Sequence, residues 1–387
     1  MKQNLIISLI LFLLVFASCK NKANQKSGET PDTTVVTLDM ENSNEETDET
    51  YQIEELPERF YRHYSGKIGD SKVQLNLTKG TEAVYGTYYY EKIKQNIYLT
   101  GSIDNQNNIT LNEYLEDNSN TGNFTGKIYK NKIIGTWKNE NKEFDFKLTE
   151  DYSNSIRFAN YKRAETYKMF GVDSFPEYTI DIETVYPVDK NNKNIEKISN
   201  IIFDYFYPNR DINNSATETF DNYVNGLIEG YKETCESEEQ DYETIMMDGW
   251  MYQWEYSSYW SVTFNDNNLL SITEQANEYG GGAHGYYSIQ ILNIDTKKGE
   301  KITLDNIIEA EGKEELRQLI LKKIEEEGRL EDLFSTEDVT PTDNFYLDIS
   351  GIGFVYNPYE IGPYVAGIFD IYINFNEIKH LLKPAFK

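Results

Sequence analysis

The stretch EYGGGAHGYYS, Glu278 to Ser288, sets one of only three histidines, His284, among four glycines. A histidine there could act as a general base, a metal ligand or a contact for a partner. A general base needs a nucleophile or an orienting group within hydrogen-bond reach. Glu278, Tyr279 and Ser288 are close along the chain, which does not establish that geometry. A zinc site takes three or four Cys, His or carboxylate ligands. His63, His284 and His380 are scattered, and neither H-E-x-x-H nor C-x-x-C occurs. GGGAHG is followed by no Lys or Ser/Thr to hold a phosphate, and no G-x-S-x-G elbow or D-x-[DN]-x-[DN]-G calcium loop is found. No metal, no cofactor and no catalytic residue are expected. Three readings of the loop stay open: a glycine-shaped turn in which His284 bonds its own backbone, a partner-binding loop, and a catalytic loop.

Other reactive side chains are few. Cys235 lies in the acidic stretch YKETCESEEQ. Nearby negative charge raises a thiol pKa, which argues against a nucleophile. It is the one cysteine after Cys19, so no disulfide within the mature chain is expected. Tyrosine is abundant, at 31 residues. Exposed Tyr suits interfaces because it buries a large area at a small entropy cost. YNPYEIGPY, Tyr356 to Tyr364, combines two prolines with three tyrosines and reads either as a rigid contact loop or as a buried strand crossing. The candidate contact surface is therefore Tyr279, Gly280, Gly281, Gly282 and His284 with Pro358, Tyr359, Glu360, Pro363 and Tyr364.

Charge narrows the partner class. The chain of 387 residues carries a formal net charge of -28. Nucleic-acid binding rests on Lys and Arg at phosphates, so no nucleic-acid partner is expected. A polyanionic envelope polymer is disfavoured on the same ground. Residues 63–150 balance, with 11 acids and 11 bases, whereas 151–387 carry 43 against 20. From Glu233 to Thr296 there are 12 acids and no Lys or Arg, and the His284 loop lies in that window.

The elements that would position these groups follow from periodicity. Residues 59–150 alternate apolar and polar with period two, as in KVQLNLT and NITLNEYL, between turns such as DNQNN and KNK. This predicts a small all-β meander or barrel domain. Gly86, Gly101, Gly126 and Gly135 recur where such a sheet would bend. The domain reads as a spacer or as a barrel that takes a ligand at its mouth. Residues 151–174 read as a connector with a helix through RFANYKRAETYKMF. From 175 to 387 the pattern is mixed. Ile195, Ile198, Ile202 and Phe206 recur at helical spacing, as do Phe220, Val224, Leu227 and Tyr231, and again Leu316, Leu319, Ile320 and Ile324. MYQWEYSSYWSVTFND and LLSITEQANEY read as long strands, and a hairpin turn is expected near Lys297 to Glu300. The fold class is α+β: an antiparallel sheet with helices on one face.

The N-terminus supplies a location. MKQNLIISLILFLLVFASCK has a short basic start, an apolar run shorter than a membrane span, then Ala17, Ser18 and Cys19. It resembles a bacterial lipoprotein signal, with Phe16 where Leu is more usual. Residues 1–18 would be the signal peptide, Cys19 the lipidated residue, and 19–58 a flexible acidic tether. The protein is then expected in the cell envelope, lipid-anchored to a membrane outside the cytoplasm, with the outer membrane as the expected location.

EYGGGAHGYYSIQILNIDTKKGEKITLDNII and the later FYLDISGIGFVYNPYEIGPYVAGIFDIYI together resemble the extracellular domain shared by RsiV-type anti-sigma factors and PdaC-like envelope proteins, a domain of unknown function carrying the GGAHG motif. The resemblance covers roughly 175 to 382. It implies a binding domain, since RsiV-type proteins sense lysozyme through it. A cytoplasmic anti-sigma segment and the deacetylase domain of PdaC-like proteins, with its Asp and His metal ligands, find no counterpart here, so binding alone carries over. The expected function is that of a lipid-anchored envelope binding protein. Lysozyme, another cationic protein or a glycan is the expected ligand, and the charge favours a cationic one. An envelope hydrolase using His284 and a purely structural assembly lipoprotein are the alternatives.

Overall fold

The structure, a computed structural model, describes residues 53–81, 83–115, 119–171, 176–237, 247 and 249–386. The signal segment, Cys19 and the tether up to residue 52 lie outside the described residues. The chain divides at Phe60 and Glu150. The first unit holds residues 64–150 and the stretch up to Phe60, and the second holds Asp151 onward together with Tyr61–His63.

The first unit is a closed antiparallel barrel of β1 (Phe60–Ile68), β2 (Ser71–Lys79), β3 (Val84–Tyr90), β4 (Ile97–Ile103), β5 (Asn108–Tyr114), β6 (Asn120–Ile128), β7 (Lys132–Lys138) and β8 (Glu143–Glu150). Each strand alternates, and the inward set, including Tyr64, Leu77, Tyr88, Leu99 and Phe124, fills the interior. Eight strands leave an interior just wide enough for side chains. Here that inward set forms one buried apolar cluster. An inward carboxylate, Glu113, accepts hydrogen bonds from Tyr88 Oη at 2.5 Å, Trp137 Nε1 at 2.7 Å and Thr121 Oγ1 at 2.5 Å. The glycines fall where strands crowd: a Cβ on Gly101 would sit 1.9 Å from the Thr110 carbonyl oxygen, and one on Gly135 would sit 2.1 Å from that of Thr125.

The second unit is α+β. Its six-stranded sheet runs in the order β14 (Glu300–Ile302), β13 (Tyr286–Asp295), β12 (Leu269–Gly280), β11 (Trp254–Asp266), β10 (Glu177–Pro187), β9 (Phe158–Lys168). The pairs are antiparallel except β10 with β11, which is parallel. A parallel pair needs a long crossover. Here it contains α1 (Ile195–Phe206) and α2 (Ala216–Ser237). Ile198, Ile202 and Phe203 of α1 and Phe220, Val224 and Tyr231 of α2 bury the expected stripes against Ile180, Ile182, Trp260 and Ile272 of the sheet. Each such side chain contributes about 1.5–3 kcal/mol by leaving water.

One expectation is corrected. RFANYKRAETYKMF is not a helix but contains edge strand β9, paired along its length with β10. Its Lys, Arg, Ala and Glu favour helix locally. The pairing partner and the other face of the ribbon decide otherwise: Tyr161 Oη donates to Asp221 at 2.6 Å, and Arg163 bonds Asp221 and Asn225 of α2.

The chain ends in a three-stranded antiparallel sheet, β15 (Phe345–Leu347), β16 (Gly351–Tyr356) and β17 (Phe369–Asn374). Around it pack the short α3 (Leu304–Ile307), α4 (Lys313–Glu326) and the short α5 (Phe375–Ile378). Leu316, Ile320 and Ile324 of α4 are fully buried, as the spacing requires. Among the described residues no backbone ladder joins this sheet to the larger one. Asparagine side chains do so instead. Asn344 accepts from the Ile291 N–H at 2.9 Å and donates to the Ile289 carbonyl at 2.9 Å. Asn357 accepts from the Ile289 N–H at 2.7 Å and donates to the same carbonyl at 3.1 Å. These amides cap the stretch of β13 that β14 does not reach.

Candidate functional site

The turn between β12 and β13 is shaped by two glycines. Gly281 and Gly282 hold φ of 81° and 96°, values that L side chains rarely adopt. A Cβ on Gly281 would also lie 2.3 Å from the Met251 carbonyl oxygen, so the turn packs tightly on the segment that enters β11. Tyr279 Oη donates to the Gly282 carbonyl at 3.0 Å. His284 Nδ1 lies 2.8 Å from the Gly285 carbonyl. A carbonyl only accepts, so Nδ1 carries a proton and is committed to this bond. His284 thus bonds its own backbone, yet its ring is exposed and stacks on Tyr364, with centroids 4.1 Å apart and planes 26° apart.

Tyr364 belongs to the loop between β16 and β17. That loop is built as two turns. In the first, Glu360 N–H donates to the Asn357 carbonyl at 3.0 Å and Tyr359 N–H to the Gly362 carbonyl at 2.9 Å. Tyr359 holds a φ of 74°, an outlier for a bulky residue. Pro358 is buried, which corrects its place in the expected contact surface: it supplies stiffness beneath the turn. In the second turn, Pro363 precedes Tyr364–Ala366, which closes on Gly367 at φ 73°. Arg329 braces this turn. Its guanidinium donates to the Ala366 carbonyl at 2.6 Å and the Ile368 carbonyl at 3.1 Å, and lies 3.7 Å over the Phe369 ring.

The two loops, far apart in sequence, therefore meet. Tyr364 touches His284 from one and Tyr359 from its own, at 5.9 Å, and Tyr287 edge-on at 5.5 Å. Gly280 is exposed at the end of β12 and Pro363 is half-buried. The carboxylate of Glu360 accepts from Asn357 N–H at 3.0 Å and Asn357 Nδ2 at 3.3 Å. Burial and the nearby Glu360 charge both push the Tyr286 phenol pKa up.

The sequence pattern did not single out several neighbours. Trp250, Met251, Tyr286, Phe334, Tyr359 and Val365 are half of the twelve large apolar side chains that stay exposed among the described residues. All lie in these loops or on segments that touch them, Phe334 through its N–H to the Ile361 carbonyl at 2.9 Å. Val365 is 91% exposed. A readable signal existed: 330–378, like 233–296, contains no Lys or Arg, against nine acids. The result is a set of exposed aromatic and aliphatic side chains on adjoining loops, drawn from stretches of the chain without Lys or Arg.

The remaining titratable groups lie elsewhere. His63 is buried, with Nδ1 2.6 Å from the Asp151 carbonyl and Nε2 4.0 Å from Asp266. His380 meets Glu315 at 2.8 Å on the surface. Glu274 is buried under α1, bonded to Ser258 Oγ at 2.6 Å and Trp260 Nε1 at 3.2 Å, and burial raises its pKa. Cys235 is buried and in no disulfide among the described residues. Among the described residues no group of three or more His, Cys, Asp or Glu could hold a metal ion. No helix among them is long and apolar enough to cross a membrane.

Comparisons with known proteins bear on the same region. Residues 176–287 match the family described as deacetylase PdaC, and 296–376 match the protein of unknown function DUF3298. The His284 loop falls in the first match and the Tyr364 loop in the second. A crystal structure of a DUF3298 family member from Bacteroides fragilis NCTC 9343 is similar, with 28% identity and a TM-score of 0.56, over 60% of this chain and 96% of that one. A DUF3298 family protein from Pseudomonas aeruginosa PAO1 matches with 13% identity and a TM-score of 0.41, over 59% of this chain and 96% of that one. No curated protein matches the chain. The second unit, which follows the eight-stranded barrel in sequence, thus carries matches to both the PdaC and the DUF3298 families and is similar to a solved DUF3298 family member.

Proposed function

We propose that this chain is a lipid-anchored envelope protein whose PdaC/DUF3298-type domain binds a cationic protein outside the cytoplasm, with lysozyme as the first candidate. The observation that carries the reading is the surface around Tyr364. Two rigid loops hold aromatic rings and aliphatic tips in solvent, inside two long windows without a Lys or Arg. Exposed apolar patches rimmed by charge mark interaction sites. Tyr-rich surfaces are suited to such contacts. A domain of strong negative charge also speeds encounter with a basic partner. His284 fits a binding role: its Nδ1 proton is committed to Gly285, and its ring forms part of the platform. The anchor rests on Cys19 and the tether on residues 19–58.

The test is retention. Immobilised chain should hold lysozyme at about 20 mM salt and release it as salt rises past about 0.3 M, where screening shortens to a few Å. Failure to retain it at any salt removes the lysozyme reading. The hydrolase alternative is read on the same protein: a folded His284→Ala variant that loses turnover on a glycan or ester panel would favour an enzyme.

A further inference from the structure

Tyr359 is the most unusual residue of the surface. Holding an aromatic residue at φ 74° costs about 1–2 kcal/mol, yet the residue is 52% exposed. The strain is not repaid by burial. It is imposed by the Asn357–Gly362 turn, which Asn357 fixes to β13. The adjacent Glu360 is fixed by the same asparagine through both carboxylate oxygens, and each oxygen keeps lone pairs for another donor. Behind them stand Tyr364 and the His284 ring stacked on it. The site thus offers π faces and a held carboxylate. The cation that braces the loop, Arg329, is committed to Ala366, Ile368, Asp332 and the Phe369 ring.

Resting on the binding role proposed above, we infer that the Tyr359–Glu360 turn is a receptor for an arginine side chain of the partner, its guanidinium laid on the Tyr359 ring and forked onto Glu360. A cation over a Tyr face gains about 0.5–2 kcal/mol. The planar, weakly hydrated guanidinium stacks and forks where an ammonium only point-binds. Charge complementarity runs the same way, since no fixed cation of the 330–378 window competes for the carboxylate.

The probe is N-acetyl-arginine amide, with the neutral citrulline amide as its isostere, followed by saturation-transfer NMR on the full chain. Arginine amide should show transfer at its δ-methylene, and citrulline amide about tenfold less, the fold that 1.4 kcal/mol of cation–π and ionic contact would give. Glu360→Gln should reduce the arginine signal by about the same factor. Tyr359→Asn should abolish it without loss of thermal stability, because Asn tolerates positive φ. Equal signals from the two amides, or an arginine signal that survives both substitutions, overturns the assignment. Lysozyme retained with no arginine signal leaves the binding role standing and removes this site. An arginine signal with no lysozyme retention does the reverse.

Discussion

Replacing Gly281 with alanine places a methyl group 2.3 Å from the Met251 carbonyl oxygen, in a residue already at φ 81°. Gly282, its neighbour at φ 96°, has nothing within 4 Å of where its Cβ would be. The pair separates backbone strain from close approach. An alanine in the left-handed region costs about 1–2 kcal/mol, and restricting the unfolded chain returns about 0.4–1 kcal/mol. Gly282→Ala should therefore cost about 0.5–1 kcal/mol. Gly281→Ala carries the same strain and must also push aside a backbone carbonyl that accepts the Trp254 indole N–H at 3.0 Å. Forced shifts of this kind add about 1–3 kcal/mol, for a total of about 2–4 kcal/mol. Thermal unfolding followed by tryptophan fluorescence reads the difference, at about 2–4 °C per kcal/mol for a unit of this size. Equal melting shifts for the two variants, or a larger one for Gly282→Ala, would refute the idea that the glycine turn is seated on Met251.

Three further outcomes are expected. Arg329→Met removes two charge-assisted bonds to the Ala366 and Ile368 carbonyls and should cost about 2–4 kcal/mol. Hydrogen exchange at 364–368 should rise more than elsewhere, and no local change would contradict the brace. Asp370 has its pKa raised to about 6, chiefly by burial, so between pH 4 and 6 the folded chain holds a proton that the unfolded chain releases. That contribution is present at low pH and lost as pH rises through about 6. Asp370→Asn should thus stabilise by roughly 1–2 kcal/mol at pH 7 and leave pH 4 unchanged; equal effects at both values would contradict it. His63 has the opposite sign: burial lowers its pKa, so the unfolded chain binds the extra proton as pH falls below the ordinary histidine value. Stability should fall on acidification from pH 7 toward 5, and His63→Gln should flatten that slope in urea titrations.

The elements were readable where one local rule governed them. Period-two runs with turns between them give a barrel, because each strand there is apolar on one face only. The stripes of α1, α2 and α4 were equally plain. β9 was not, because Tyr161, Arg163 and Tyr167 read like a helix surface until α2 and β10 are placed beside them. In the site, the glycines and prolines marked both loops, since positive φ and fixed φ leave a local signature. Their meeting was not marked. It depends on Asn357 and Asn344 reaching a strand edge more than 50 residues away, and on Arg329 bonding backbone 37 and 39 residues on. An asparagine or arginine in sequence carries no trace of such a partner. Pro358 misled for the same reason, because spacing within a loop does not tell which residue faces inward.

The central claim is that the surface around Tyr364 is where a cationic protein docks. Amide hydrogen exchange of the full chain, with and without lysozyme at low salt, tests it most directly. The account predicts slowed exchange in 279–287 and 357–366, reversed by salt, with the barrel strands unaffected. Protection that maps to the barrel, or none under conditions where lysozyme is bound, would contradict it.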